Sequence, residues 1–565
     1  MPETPAARRA RQAGAVAARL ALNLGVLARD GALTALTSRV PRDWIELRLE
    51  RGLVEVPPGS SLLARRRPRP GLLQDALDVL ARARGDARVQ GVLLHMGQAP
   101  LGWAKVAGLA RGIQALRAAG KRAVVYAEHG ANACAWLGAL ADRFWMAPEG
   151  RLDLVGVRLD SPFLREALDR FHVRATVLAA GRYKSAGEMF ERSSHSPESR
   201  EALDDVADEL YSALRGGLAA RAPGAGQAAR WIDEGPYLAS QAREAGLVDA
   251  LLYPDELRAQ LAALTSGAAA AAPDADVEPE QARVIGSAAY LRLSRPRFAL
   301  RPLLREHARI PVVPLLGMIT AARVRPVVRL LERLRKDASA RAVVLRIDSG
   351  GGDATASDAV WHAVQRLVQR KPVVASMGDT AASGGYYAAM AASEIVAEAT
   401  TLTGSIGVVM VAPEIEELLT HLGVRFDAIE RGRHAGIYAL NRTRSDEERA
   451  HLRRQVERIY ASFVQKAAAS RELEPGALEQ VAQGRVWTGR RAFEHGLVDA
   501  LGGLDVALER ARALAGLEPG EGEVVPLDPS PGLLQRVLGS PELAAPEPWP
   551  AAMPQLLCPV SADLR

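Results

Sequence analysis

The sequence predicts an α/β fold made of two tandem copies of one unit. Short apolar strand patterns alternate with segments of helical periodicity, an order typical of parallel sheets with crossover helices. The same order then returns in the second half of the chain. The stretch DARVQGVLL from Asp86 resembles DASARAVVL from Asp337, and AREAGLVDA from Ala242 resembles AFEHGLVDA from Ala492. Matches at a nearly constant spacing of about 250 residues indicate two diverged copies of one unit.

The repeat divides the 565 residues into two units, a linker and two flanking segments. We predict the first unit over residues 44–263 and the second over 284–516. Residues 264–283 contain SGAAAAAPDADVEPEQ and are predicted to be a flexible linker. Residues 517–565 are rich in proline and are predicted to be irregular or to wrap a neighbour.

Strand and helix patterns in the first unit give its elements in order. Strands are predicted at Trp44–Leu49, Val89–Leu94 and Ala123–Ala127. Helices are predicted at Gly71–Arg84, Trp103–Ala119 and Arg200–Arg221.

Composition excludes several classes of function. The net charge of +6 is spread along the chain, and no block of Lys and Arg is interleaved with aromatic residues, so nucleic-acid binding has little support. The two cysteines, Cys134 and Cys558, make neither a disulfide framework nor a zinc site.

The first 43 residues begin with Arg8, Arg9 and Arg11, followed by an apolar run that Arg19 interrupts. Only Leu20–Ala28 is uncharged, which is too short to span a bilayer. The segment also lacks a clear signal-peptide cleavage site. Two interpretations stay open here: an amphipathic helix on a membrane surface, or an ordinary surface helix.

Around Ser383 the sequence reads PVVASMGDTAASGGYYAAM, an apolar strand pattern followed by a helical one. A serine at such a junction is well placed to be a nucleophile, and the glycines after it let a substrate backbone approach. By itself Ser-Gly-Gly is more often a turn or helix cap. It is also not the hydrolase motif G-x-S-x-G, because position 381 is Ala.

Three longer stretches carry a family resemblance. MGDTAASGGYYAAMAASEIVA with TLTGSIGVV, LRIDSGGGDATAS from Leu345, and GRVWTGRRAFEHGLVDALGG from Gly484 all resemble the signal peptide peptidase A family of membrane-associated serine proteases. The resemblance implies two tandem ClpP/crotonase-like αβ superhelical domains, one in each half. Periodicity alone would not distinguish this fold from a doubly wound sheet.

No histidine of the second half lies in a recognisable triad setting, and the resemblance implies a lysine as catalytic base instead. In the first half GRYKSA matches the family's lysine motif and places the base at Lys184, whereas the corresponding stretch of the second half has Ala435. Conversely, Ser383 of the second half corresponds to Cys134 of the first, which we interpret as a small buried residue. Each half therefore keeps one partner of a Ser/Lys dyad. Burial of Lys184 would lower its pKa and allow it to accept a proton.

By the same resemblance Ser405 hydrogen-bonds the lysine and orients it. The N–H groups of Gly352 and Gly384 are expected to form the oxyanion hole. The family usually has Pro where this chain has Gly350, so the loop at Gly352 departs from the pattern. A glycine-rich loop can also bind phosphate, but no G-K-[ST] follows this one.

By this resemblance we expect a serine endopeptidase that degrades remnant signal peptides and other unfolded apolar segments through an acyl-enzyme. The resemblance implies a homotetramer associated with the inner membrane, with no metal and no organic cofactor. The lack of a clear transmembrane span in the sequence leaves soluble or peripheral placement open. The alternatives are a non-catalytic scaffold at the membrane and a crotonase-type acyl-CoA enzyme. A peptidase assay distinguishes the first, and CoA binding distinguishes the second.

Overall fold

The structure, a computed structural model, describes residue 20 and residues 43–55, 71–224, 226–266, 280–294 and 308–529, together with the short strands at 555–557 and 563–564. Apart from residues 20 and 43, the predicted N-terminal segment 1–43 lies outside this part of the chain. So do most of the predicted linker and most of the proline-rich tail. Within the described residues, no helix is both long and apolar enough to cross a membrane.

The first unit is built on a mostly parallel sheet whose strand order is β10-β7-β6-β4-β1-β11, with β9 antiparallel to β7. Its central strands are nearly continuous apolar runs, as expected where helices cover both faces. The strands of this half are β1 (Trp44–Arg48), β2 (Leu53–Val54), β3 (Gly71–Leu72), β4 (Gly91–Met96), β5 (Leu101–Gly102), β6 (Arg122–Ala131), β7 (Arg143–Asp153), β8 (Arg174–Ala180), β9 (Tyr237–Leu238), β10 (Ala250–Leu251) and β11 (Val284–Gly286).

The second unit is built on a similar sheet with the order β19-β17-β15-β13-β12-β21, in which β16 also pairs with β15 and β20 pairs with β16. Strand β19 runs antiparallel to its neighbour β17. The strands of this unit and those that follow are β12 (Arg309–Leu316), β13 (Val343–Ser349), β14 (Gly351–Asp353), β15 (Val373–Ala382), β16 (Glu394–Ala397), β17 (Leu402–Gly404), β18 (Val408–Glu414), β19 (Val486–Thr488), β20 (Ala500–Leu501), β21 (Glu523–Pro526), β22 (Gln555–Leu557) and β23 (Asp563–Leu564).

Helices connect the strands and cover the sheets. In the first half they are α1 (Leu73–Gly85), α2 (Trp103–Ala118), α3 (Asn132–Leu140), α4 (Arg165–Arg170), α5 (Glu188–Glu191), α6 (Pro197–Leu218), α7 (Gln227–Asp233), α8 (Ala239–Glu244), α9 (Leu257–Ser266) and α10 (Ser287–Ser294). In the second half they are α11 (Ala321–Lys336), α12 (Ala354–Val368), α13 (Gly384–Ala389), α14 (Glu416–His421), α15 (Asp446–Arg471), α16 (Pro475–Val481), α17 (Gly489–Glu494) and α18 (Leu504–Leu514).

The two halves are joined by a third sheet with the order β14-β22-β18-β8. Strand β8 of the first half pairs antiparallel with β18 of the second, from Arg174 opposite Glu414 to Ala180 opposite Val408. This pairing brings the residues just after β8 beside those just before β18. Backbone pairing therefore fixes the distance between the two halves at that point.

The predicted fold class, two tandem α/β units with parallel sheets, is confirmed, and each predicted strand of the first unit overlaps an observed one. The boundary that we drew at residue 284 differs from the structure. Strand β11 pairs with β1 of the first sheet, and α10 packs beside it, so residues 284–294 lie with the first unit. Likewise β21 extends the second sheet beyond residue 516, because it pairs with β12.

Candidate active site

Ser383 lies at the junction between β15 and α13 and is fully buried. Its backbone has φ of +54° and ψ of −112°, a region that residues with a Cβ rarely occupy. Two hydrogen bonds hold it there: its N–H donates to the Gly404 carbonyl at 2.8 Å, and its carbonyl accepts from the Tyr387 N–H at 2.8 Å. Strained backbone of this kind is typical of functional sites, where the surrounding structure imposes the conformation.

Lys184 reaches Ser383 from the other half of the chain. Its Nζ lies 2.7 Å from Ser383 Oγ, 2.9 Å from Ser405 Oγ and 3.1 Å from the Ser405 carbonyl oxygen. The lysine is 4% exposed, and both serines are fully buried. An amine this close to a hydroxyl in a dry setting can exchange a proton with it.

Two glycines make room for Lys184, and a third lies against the segment next to it. Gly407 lies against its stem, and a Cβ added there would sit 3.0 Å from Lys184 Cδ. Gly484 has φ of +78°, and a Cβ on it would lie 2.6 Å from Lys184 Cβ. Gly181 has φ of +106° and passes equally close to the backbone of residue 483. Side chains at positions 407 and 484 would collide with Lys184.

Ser405 also has a left-handed backbone, with φ of +52°. Its N–H donates to the Arg485 carbonyl at 2.7 Å, so the segment that bears Arg485 sets its position. The Arg485 guanidinium stacks over the rings of Tyr183 and Trp487 and donates to Glu201 of the first half at 2.6 Å. Arg485 therefore ties the segments that carry Lys184 and Ser405 together, a role that our sequence analysis missed although Arg485 lies in the third family-like motif.

Gly352 and Gly384, the residues expected to form the oxyanion hole, lie side by side. A Cβ added to Gly384 would sit 3.2 Å from the Gly352 nitrogen and 3.1 Å from Gly351 Cα. Gly352 belongs to β14, and a Cβ there would collide with the carbonyl of Ile319. Both positions therefore exclude a side chain, and the Gly352 nitrogen lies beside Gly384, the residue that follows Ser383.

A strand-shaped groove runs past this site between β14 and β18. Segment 555–557 of the same chain occupies it as β22, pairing antiparallel with β14, where Leu556 lies opposite Gly352. It also pairs with β18, where Gln555 lies opposite Val409. The groove thus accepts an extended peptide backbone on both of its edges, a feature that no sequence pattern indicated.

A second buried lysine, Lys105, differs from Lys184 in its surroundings. Burial alone would lower its pKa, but Asp379, Asp348 and Glu55 outweigh burial and raise the pKa above its ordinary value. Lys105 is therefore held as a cation and is a poor candidate for a base.

The counterparts of the dyad in the opposite halves carry no comparable site within the described residues. Cys134 is buried in the apolar core of the first unit, and burial raises the pKa of its thiol, which disfavours the reactive thiolate. Ala435 lies exposed in the segment after α14. These surroundings agree with the interpretation of Cys134 as a core residue.

Comparison with known proteins identifies the family. The model of Peptidase family S49 matches residues 115–267 and 365–518, which is more than half of the chain and falls once in each half. Fold and family together therefore define a serine-type peptidase. The chain belongs to peptidase family S49, and the family resemblance and the class of enzyme predicted from the sequence are both confirmed.

Relatives extend this assignment. The chain is 33% identical to "Serine protease SPPA, chloroplastic" of Arabidopsis thaliana, over 77% of this chain and 64% of that protein. It is 29% identical to "Protease 4" of Salmonella typhi, over 79% of this chain and 72% of that protein. Among solved structures, a mutant of ClpP1 from Listeria monocytogenes is similar at 14% identity, with a TM-score of 0.25 over 35% of this chain and 94% of that one.

Proposed function

We propose that this chain is an endopeptidase with a Ser/Lys dyad formed by Ser383 and Lys184, which cleaves unfolded apolar segments such as remnant signal peptides. The observation that carries the proposal is the 2.7 Å contact between Lys184 Nζ and Ser383 Oγ, both buried and contributed by different halves. Burial disfavours the charged form of an amine, and a neutral amine is the form that can act as base.

The reaction begins when a peptide carbonyl lies against Ser383. Lys184 removes the hydroxyl proton as Ser383 Oγ bonds to the carbonyl carbon, and the N–H groups of Gly352 and Gly384 stabilise the developing oxyanion. The C–N bond then breaks, and the leaving amine takes the proton from Lys184. Water attacks the resulting ester with Lys184 again as base, which releases the acid product and restores the serine. Ser405 keeps the lysine oriented throughout.

The groove between β14 and β18 supports an extended peptide as substrate. Adding a strand between two edges satisfies the backbone hydrogen bonds of a peptide regardless of its sequence. Cleavage would thus require an unfolded segment.

We further propose that the chain forms a homo-oligomer, a tetramer by family resemblance, associated with a membrane surface. The loop after α14 exposes Leu422, Val424, Phe426 and Ile429, with Ile429 89% exposed. Apolar side chains exposed together mark a surface that binds something. Light scattering of the purified protein, with and without vesicles, tests both parts.

The dyad itself is tested with an internally quenched apolar peptide and an acylating serine reagent followed by peptide mapping. We expect Ser383→Ala to abolish hydrolysis and labelling, since the nucleophile is lost. Lys184→Arg should be as inactive as Lys184→Ala, because a guanidinium stays protonated. The matched control is Lys121→Arg, since Lys121 is bonded to backbone carbonyls and is not near the dyad. Turnover by Ser383→Ala, or an active Lys184→Arg, would refute the dyad.

A further inference from the structure

Strand β15 departs from regular pairing just before Ser383. Ile347 of β13 pairs with Met377 and Ser349 pairs with Ala381, so residues 378–380 lie opposite the single residue Asp348. Such a bulge bends a strand and re-aims the residues after it, and bulges are frequent next to active sites. The direction in which β15 delivers Ser383 therefore depends on what holds this bulge.

Side chains of β13 hold the bulge from within the same half. Asp348 Oδ1 accepts a hydrogen bond from the Thr380 N–H at 3.1 Å. Arg346 donates to the Met377 carbonyl at 2.7 Å and to Ser376 Oγ at 2.9 Å. The guanidinium also pairs with Glu55 of the first half, at 2.8 and 3.0 Å.

Asp379, at the centre of the bulge, crosses to the first half. Its Oδ1 accepts from the backbone N–H groups of Ala104 at 3.0 Å and Lys105 at 3.3 Å. These groups belong to the first turn of α2, so Asp379 serves as the N-terminal cap of a helix in the other half. Gly102 precedes that helix, and a Cβ on Gly102 would occupy the space of the Asp379 carboxylate.

The ion pairs around Asp379 make this contact strong. Lys105 Nζ bonds to Asp379 and lies 3.3 Å from Asp348 and 3.7 Å from Glu55. Burial alone would raise the pKa of Glu55, but Arg346 and Lys105 outweigh burial and lower it. The cluster is thus a buried set of opposite charges shared by both halves, and shifting one member leaves a buried charge unpaired.

We propose that Asp379 is a positioning residue that fixes the bulge of β15 to helix α2, and so holds Ser383 in register with Lys184. The proposal rests on the dyad described above, because its function is to align the two partners. Ser383 is supplied by the strand that Asp379 anchors, and Lys184 by the half to which it is anchored. Misplacing reacting groups by about 1 Å can cost on the order of 100-fold in rate.

The experiment uses the full-length protein and disturbs the contact between Asp379 and α2 by one substitution in each half. Gly102→Ala pushes Asp379 away without changing any charge, and Asp379→Asn keeps an acceptor oxygen while removing the charge. The matched control is Gly108→Ala on the same helix, where the added Cβ would have its nearest neighbour, Glu398 Oε1, at an ordinary 3.5 Å. For each variant kcat, KM and Tm are measured with the apolar peptide well below the Tm.

We expect Gly102→Ala to lower kcat about 10- to 100-fold with little change in KM, and Asp379→Asn to lower it less, because the cap to α2 is partly kept. Gly108→Ala should match wild type. The proposal is overturned if Gly102→Ala and Asp379→Asn lose only Tm and keep wild-type kcat, as a purely structural contact would. Ser383→Ala is assayed in parallel: activity there would refute the dyad itself, whatever the Asp379 results are.

Discussion

Ser405 offers a quantitative test of how the lysine is oriented. Ser405→Ala removes the hydroxyl 2.9 Å from Lys184 Nζ but leaves the Ser405 carbonyl, 3.1 Å from the same atom, in place. The lysine therefore keeps Ser383 and one partner at residue 405. The variant should fold normally, since alanine tolerates the left-handed backbone about as well as serine does.

The size of the effect follows from the value of one buried hydrogen bond. Losing it costs about 1 kcal/mol net, and up to about 3 kcal/mol if the amine is left short of a partner. Since about 1.4 kcal/mol corresponds to tenfold in rate, kcat/KM should fall between about 5-fold and 150-fold. The activity that remains in Ser405→Ala should therefore be far higher than the residual activity of a variant that lacks the nucleophile.

The assay is steady-state hydrolysis of the quenched apolar peptide, with Tm measured alongside. Ser199→Ala is the matched control, because Ser199 is a buried serine that contacts His195 rather than the lysine. Unchanged kcat/KM in Ser405→Ala would show that Ser405 does not orient the base. A loss as complete as that of Ser383→Ala would show that Ser405 does more than orient it.

Three further predictions concern the same site. Gly407→Ala should lower both Tm and kcat, because its Cβ would lie 2.9 Å from Gly484 Cα and 3.0 Å from Lys184 Cδ; equal activity in a peptidase assay would contradict the packing. The wild-type rate should rise with pH as Lys184 loses its proton, since only the neutral amine accepts the proton of Ser383; a pH–rate profile that falls over this range would count against a lysine base. Full-length Ser383→Ala co-expressed with full-length Lys184→Ala should stay inactive, because both partners meet within one chain; recovered hydrolysis would mean a site shared between chains.

The repeat and the motifs were enough to predict the tandem α/β fold and the family. Alternating strand and helix patterns depend on local periodicity, which survives divergence, and a repeat places the same elements in both halves. Ser383 and Lys184 could be selected because each lies in a motif that its counterpart half has lost. The structure brings the two side chains together, and their role as a dyad stays a prediction until Ser383 and Lys184 are substituted.

Contacts between residues far apart in the chain could not be predicted from the sequence. Strand β11 looked like the start of the second unit because it follows the linker, yet it completes the first sheet by pairing with β1. Nothing local indicated that Asp379 would cap a helix of the other half, or that segment 555–557 would lie between β14 and β18. The sequence by itself determined the elements, the repeat and the choice of candidate residues, because these depend on neighbours along the chain. The tertiary structure decided which strand edges pair and which charged side chains contact each other across the two halves. The interaction energies of these contacts arise only once distant segments are packed together.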